Sequence, residues 1–476
     1  MTATPASAGP AGEVRDLSEP DSGRTNPQNE NSVLSHSLGN VASLTHMDGA
    51  VRQIQIQILG DPVHWFNKTF GFIMVAQNLG STAACLGWVA LTSSHNRVNT
   101  ELGLPESDRR LSTMWLMGSS IGFLLVGRLS DLYGRRYFIV GTSFLGVIGS
   151  ILGCFGGSTS VLMAANVLSG IAAAAQMSFG FVIGELVPTK WRAPYAAVTS
   201  HVLLDSTSRW RWNYGVGFGC AFLSAWVYFL CYFPPACKQL NVGGGTRIQM
   251  AKNLDVVGIL LFVSGCVLTM LGLSWVGAEY QWESEEVLGM LLGGSASFAM
   301  FFVYEALFCR VPALMPPKLF KNRYYFALVT NALFASMTYS VLYVFWPTVV
   351  AKVFGGNSYY VAWQTSMVST LFLIGMAIGG ICIANVPRIR SQSLIAASVA
   401  VVFLGCLGSM KTDRYAQITA SAGLLCFATG FIENVALTGV TYIWQAQDIG
   451  LAFGVLGCIC SLGCAFAQAG FVSILD

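Results

Sequence analysis

The sequence predicts an all-α integral membrane protein, and three observations carry that prediction. Twelve apolar runs of about twenty residues recur along the 476-residue chain, and about twenty helical residues are what about 30 Å of hydrocarbon requires. Only 10% of the residues are charged and 54% are hydrophobic, with a mean hydropathy of +0.59; a soluble domain carries about 25% charged residues. The runs lack the apolar/polar alternation of a membrane β-barrel, and lipid-exposed backbone that forms no closed barrel must bond to itself as helix.

The elements follow in order. "MTATPASAGPAGEVRDLSEPDSGRTNPQNENSVLSHSLGN" is rich in Pro, Ser, Gly and Asn. It has too little apolar surface to offset its ordering entropy and no basic segment leading into an apolar core, as a signal peptide has. Residues 1–62 therefore read as a disordered cytosolic tail. The spans are 70–92, 111–130, 137–156, 160–184 and 213–233, then 254–276 and 287–308, then 325–350, 364–385, 392–410, 415–440 and 450–474. Their connections are short, and most hold Gly, Pro, Asn or Ser. Small residues recur inside the spans (Gly118 and Gly122; Gly141, Gly149 and Gly153; Gly375 and Gly379), as tight helix packing in lipid demands.

Several function classes find no support. Of the 13 Cys, Cys85, Cys154, Cys220, Cys266, Cys382, Cys406 and Cys426 lie inside apolar runs, where Cys packs as a small hydrophobe. Cys458 and Cys460 point to different helix faces, and with Cys464 they have no His or carboxylate companion, so no metal site is read there. The "GGG" at 243–245 lacks the Lys-Ser/Thr of a nucleotide-binding loop, and no HExxH is present. A net charge of +3 gives no reason to expect nucleic acid. The reading is of a non-enzyme with no cofactor and no metal.

"GRLSDLYGRR", Gly127 to Arg136, joins the second and third spans. Three Arg in so short a loop favour the cytosolic side. Gly127 allows close approach of a neighbour. Asp131 is suited to accept hydrogen bonds from a helix N-terminus, where the dipole is positive. Gly134 permits the tight turn. Arg128, Arg135 and Arg136 supply the charge, and the latter two can pair with Asp131 or with helix C-termini. Such a cluster can act as a conformational latch, closed in one state and open in another; its plainer reading is a loop that sets topology.

This string resembles the signature loop of the major facilitator superfamily, in which Gly, three variable residues, Asp and a Gly-Arg-Arg/Lys close follow in order between spans two and three. The basic residue that often follows the Asp is Leu132 here. "VLMAANVLSGIAAAAQ" (161–176) is similar to the family's fourth-span motif, with Asn166 where many drug/proton antiporters carry Arg. "GGICIANVPRIRSQ" (379–392) looks like a degraded second copy of the signature loop. The superfamily's halves are parallel six-helix repeats, and the copy falls eight spans after the first if one further crossing is counted. The resemblance thus implies a fourteen-helix plan: two six-helix bundles with two extra helices between them. Within that group "GELVPTKWR", "RWRWNY", "LFKNRYYFALV" and "QDIGLAFGVLGCI" resemble the fungal trichothecene efflux pump family, over roughly residues 65–474. The implied organisation is 63–233 as the N-terminal bundle, 234–308 as the central loop and inserted pair, and 309–476 as an incomplete C-terminal bundle.

The fifth crossing is the irregular one. Without a crossing at 193–208, Lys238, Arg247, Lys252, Arg310, Lys318, Lys321, Arg323, Arg388 and Arg390 would face outside, and only Lys352, Lys411 and Arg414 inside. With it, the count reverses and satisfies the positive-inside pattern. Sixteen helical residues reach only about 24 Å, and His201 and Asp205 add a cost at depth. We therefore expect a short fifth helix, shorter than the family's by ten to fifteen residues, and a last helix missing after 450–474. The chain as written is expected to insert with mixed topology and to transport weakly.

The function that the resemblance implies is proton-coupled efflux of small amphipathic toxins or drugs, by a monomer in the lipid bilayer of the plasma membrane. Siderophore-iron transport and a transport-deficient fragment are the alternatives. Glu433, the carboxyl in the middle of its span, is the proton-coupling candidate; burial as a neutral, hydrogen-bonded acid is its plain reading. Gln77, Asn166 and Gln176 are substrate-path candidates, and polar glue between helices explains them equally. Glu305 is expected to snorkel from a helix end, and Glu185 to set topology.

Overall fold

The computed structural model describes residues 68–103, 110–177, 210–232, 255–275, 280–308, 313–353, 355, 358–386, 388–409, 414–444 and 448–475. Each of the twelve apolar runs falls on one helix. These are Lys68–Leu102 (α1), Arg110–Tyr133 (α2), Arg135–Phe155 (α3), Thr159–Gln176 (α4), Trp210–Cys231 (α5), Val256–Trp275 (α6), Glu285–Val303 (α7), Arg323–Val353 (α8), Ser358–Asn385 (α9), Ile389–Ser409 (α10), Tyr415–Ile443 (α11) and Ile449–Leu475 (α12). A π turn, Tyr304–Phe308, ends α7, and a one-turn helix, Lys318–Lys321, precedes α8. The 1–62 tail, Glu185 and the 193–208 segment lie outside the described residues.

Local chemistry accounts for where the elements stop and start. Gly134 ends α2 with its N–H on the Ser130 carbonyl (3.0 Å) and a φ of 107°, a backbone geometry that side chains disfavour. Ser284 precedes α7, and Glu285 and Glu286 occupy its first turn, where negative charge suits the helix dipole. Ten of the helices, α3 to α12, are long and apolar enough to cross a membrane. In α1 and α2 protein covers the polar side chains: Gln77, Ser81, Ser112, Thr113, Ser119, Ser120 and Ser130 are all buried. By contrast Leu394, Ile395, Val401, Val402 and Leu404 of α10 are exposed, an apolar surface suited only to lipid. Phe218, Phe222, Trp226 and Phe229 form a similar exposed ladder along α5, with ring centroids 6.0–6.2 Å apart.

Glycines set the closest helix crossings. A side chain at Gly118 would run into the backbone of Val167, and one at Gly170 into the Trp115 carbonyl, so α2 and α4 meet backbone to backbone. Gly375 and Gly430 make the same approach between α9 and α11, against the carbonyls of Phe427 and Phe372. Gly122 and Gly379 extend the two seams, at Ile171 and Phe431. Two equivalent helix pairs are thus joined by the same device, as parallel repeats require.

The contacts also orient the chain. The end of the bundle that carries the signature loop is the inner end. Cys154 of α3 touches Arg211 at the start of α5, and Arg136 of α3 bonds Phe229 near the end of α5, so these helices are antiparallel. The α4 helix runs alongside α2 in the same direction, with Gly170 at Trp115 and Ile171 at Gly122. Hence α4 and α5 both run towards the inner end, and the chain changes face between Gln176 and Trp210. From α5 to α12 the directions alternate. Glu101 and Arg211 mark the outer end with a 2.8 Å ion pair; the Arg211 guanidinium and the Trp210 indole hold the Glu101 carboxyl below the usual carboxylate range.

One expectation is corrected here. Glu305 does not snorkel. It is buried, because the π turn at the end of α7 turns it into the protein, where both its carboxylate oxygens accept the Met315 N–H at 2.8 and 3.0 Å.

Candidate functional site

The signature loop closes the inner end against α12. Arg135 Nη2 donates to Asp131 Oδ1 at 2.9 Å, one helical turn away. The other oxygen, Asp131 Oδ2, accepts the Leu451 N–H at 2.7 Å, in the first turn of α12. That N–H is one of the four that a helix start leaves without an internal partner, and the dipole there favours a carboxylate. Gly127 packs on the backbone of Gly450 and Gly454, and Gly454 on the Phe123 carbonyl. Any side chain at Gly450 would overlap the Asp131 carboxylate. Arg136 Nη2 donates to the Phe229 carbonyl at 2.9 Å, in the last turn of α5, where positive charge is favoured.

Glu433 lies well inside α11, away from both of its ends. It stands ten residues before the inner end of α11, about 15 Å along the helix. Ser336 of α8 donates to its Oε1 at 3.5 Å. Cys85 of α1, Tyr339 of α8, and Cys460 and Cys464 of α12 lie within its electrostatic reach. Glu433 and Tyr339 are both half-buried. Gln468 of α12, buried, donates to Ser340 at 3.4 Å and has no partner for its Oε1. No group of three or more His, Cys, Asp or Glu among the described residues is placed to hold a metal ion.

An aromatic series bridges the helix sets further along. Phe372 of α9 stacks on Tyr339 at 3.9 Å, Tyr339 meets Tyr343 at 5.9 Å, Tyr343 stacks on Trp88 of α1 at 4.9 Å, and Trp88 meets Trp115 of α2 at 6.3 Å. The helix sets α1–α5 and α8–α12 are therefore joined at the Asp131–Leu451 contact and again at the Trp88–Tyr343 stack.

The structure places the substrate-path candidates apart from Glu433. Gln77 Nε2 donates to the Gln176 carbonyl at 2.6 Å, and its Oε1 accepts the Tyr228 hydroxyl. Asn166 Oδ1 accepts the Tyr214 hydroxyl at 2.9 Å. Gln77 thus ties α1 to α4 and α5, and Asn166 ties α4 to α5. The side-chain nitrogens of Asn166 and Gln176 have no partner among the described residues. Sequence reasoning missed Gly450, Ser336, Tyr339 and the Trp88–Tyr343 stack. "DIG" before the last apolar run marks the start of α12; nothing local marks the others.

Comparisons with known proteins agree with this architecture. The model of the fungal trichothecene efflux pump family matches residues 70–476. The chain is 28% identical over 404 residues to the trichothecene efflux pump TRI12 of Fusarium sporotrichioides, covering 81% of this chain and 67% of that protein. It is 27% identical over 399 residues to the trichothecene efflux pump TRI12 of Trichoderma arundinaceum, covering 79% and 65%. It is 26% identical over 394 residues to the MFS efflux transporter aclA of Aspergillus oryzae, covering 79% and 70%. The chain thus spans about two thirds of the length of the curated relatives it matches. Among solved structures it resembles the proton:xylose symporter XylE bound to 6-bromo-6-deoxy-D-glucose, with a TM-score of 0.57, 15% identity, and 86% of this chain and 89% of that one covered; that likeness shows a common fold. The chain belongs to the fungal trichothecene efflux pump family, within the major facilitator superfamily.

Proposed function

We propose that this chain exports small amphipathic molecules across the plasma membrane as a monomer, and that protons entering in exchange drive the export. The observation that carries the reading is Glu433. An ionisable residue at mid-membrane depth costs on the order of 3 kcal/mol. It persists here half-buried among α8, α11 and α12, with Cys85 of α1 within reach. Protonation of that carboxyl removes most of the burial cost, so its charge state can favour one arrangement of the helix sets over another. The inner latch and the aromatic series both join the two helix sets, and alternating access requires each to part in turn. Aromatic rings and thiols around one carboxyl suit an apolar solute with a few polar groups. The names of the relatives, efflux pumps among them, support outward transport.

The test is accumulation of a labelled trichothecene in yeast that is sensitive to it. Cells with the chain at their surface should hold several-fold less label than cells without it, and a protonophore should abolish the difference. Equal or greater accumulation would contradict export. A reduction that survives the protonophore would contradict proton coupling.

A further inference from the structure

We propose that the inner rim of α8 and α10 is a binding site for an anionic phospholipid of the cytosolic leaflet. Two contacts set the starts of these helices side by side. Asn331 Nδ2 of α8 donates to Ser393 Oγ of α10 at 2.5 Å. Nearer the rim, a side chain at Gly439 of α11 would meet both Leu328 of α8 and Ile389 of α10, so those two residues flank one point. Both helices begin at the inner end, and both begin in positive charge. Arg323 opens α8, and Lys318 and Lys321 lie in the one-turn helix before it. Arg388 and Arg390 flank Ile389 at the start of α10.

These five side chains are exposed, and none makes an ion pair or a hydrogen bond among the described residues. The signature loop differs: there Arg135 is engaged by Asp131, and Arg136 by the Phe229 carbonyl. Asp448, exposed at the start of α12, pairs with none of the five. Like charges gathered on neighbouring helix starts repel one another, and an anionic headgroup offsets that repulsion. Outward from the charges, the same two helices expose apolar side chains: Phe326 and Phe334 on α8, Leu394 and Val401 on α10. Phe334 stands eleven residues from Arg323, about 16 Å along the helix, and the hydrocarbon of one leaflet is about 15 Å deep. Positive charge at headgroup depth, with apolar surface one leaflet deep beside it, is complementary to a phospholipid. A soluble anion or an acidic protein segment would engage the charge and leave the apolar surface unused. Basic pockets between spans bind such headgroups on the cytosolic side, where the leaflet is negative.

The test is native mass spectrometry of the full chain, released from micelles that hold dioleoyl phosphatidylserine and dioleoyl phosphatidylcholine in equal amounts. The wild type should retain phosphatidylserine several-fold over phosphatidylcholine, and this arm depends on no variant. Combining Arg323→Gln, Arg388→Gln and Arg390→Gln should bring the ratio close to one. Lysine at the same three positions keeps the charge and should keep the preference. Combining Lys352→Gln and Arg414→Gln removes two exposed charges at the outer end and should leave the preference as it is. Glycerophosphoserine, the headgroup without acyl chains, should not displace the lipid at equal concentration. Equal retention of the two lipids by the wild type would overturn the proposal, as would an unchanged ratio in the triple glutamine variant. A loss shared by the outer-end variant would also overturn it, since any surface charge would then serve. Displacement by glycerophosphoserine would make the rim a plain anion site.

Discussion

Asp131 serves two partners with two oxygens, and the two lie very different distances away in sequence. Arg135 is one helical turn off, so that pairing is visible in the string "GRLSDLYGRR" itself. Leu451 is 320 residues on, and no local pattern could reveal it. Asp131→Asn keeps the side-chain shape and removes the charge that the α12 dipole favours. We expect a several-fold slower transport rate with ligand affinity within a few-fold; a large loss of affinity at unchanged rate would contradict the latch. Gly450→Ala tests the same contact from the other side, because its methyl group overlaps the Asp131 carboxylate. It should reproduce the slow rate, and the double variant should be no slower than either single one. Independent, multiplying losses would show that the two positions act separately. Glu433 was legible for a different reason: a lone carboxyl in an apolar run is conspicuous. Its surroundings, Ser336 and Tyr339, were not, since ordinary helix residues carry no mark of what they face. Glu305 was misread because its distance from the helix end suggested snorkelling, whereas a π turn rotates it inward.

At the scale of elements, the apolar runs located all twelve long helices among the described residues, because lipid removes the usual ambiguity between buried helix and strand. The small-residue pattern was visible too, but not which glycines are needed. Gly375 faces the Phe427 backbone, whereas a methyl group at Gly405 would meet nothing within 4 Å. Gly375→Ala should destabilise the α9–α11 pair by about 1–3 kcal/mol, since backbone cannot move aside as a side chain can. Gly405→Ala should be neutral or stabilising by up to about 1 kcal/mol through helix propensity. Thermal unfolding in detergent measures both, and equal effects at the two positions would contradict the close approach.

Across the whole molecule, the charge pattern required a crossing between α4 and α5, and the described helices on either side run in the same direction. With the signature loop inside, Glu283 in the loop before α7 lies outside. Because α4 and α5 run in the same direction, we expect one topology in place of the mixed insertion that the short 193–208 segment suggested: a cysteine at Glu283, in a background without reactive native thiols, should be labelled uniformly by an impermeant maleimide added to intact cells. Labelling of only part of the population would mean that the short 193–208 segment leaves the topology mixed. The helix sets α1–α5 and α8–α12 meet at the Asp131 latch and at the Trp88–Tyr343 stack, and the central claim proposed for them is that one carboxyl, Glu433, couples substrate export to protons. The direct measurement uses proteoliposomes loaded with a labelled trichothecene, for wild type and Glu433→Gln, with and without an imposed pH gradient. The account predicts that the gradient accelerates wild-type transport, that the variant ignores the gradient, and that the variant still exchanges labelled for unlabelled substrate. Gradient-driven transport at the wild-type rate in Glu433→Gln would contradict it.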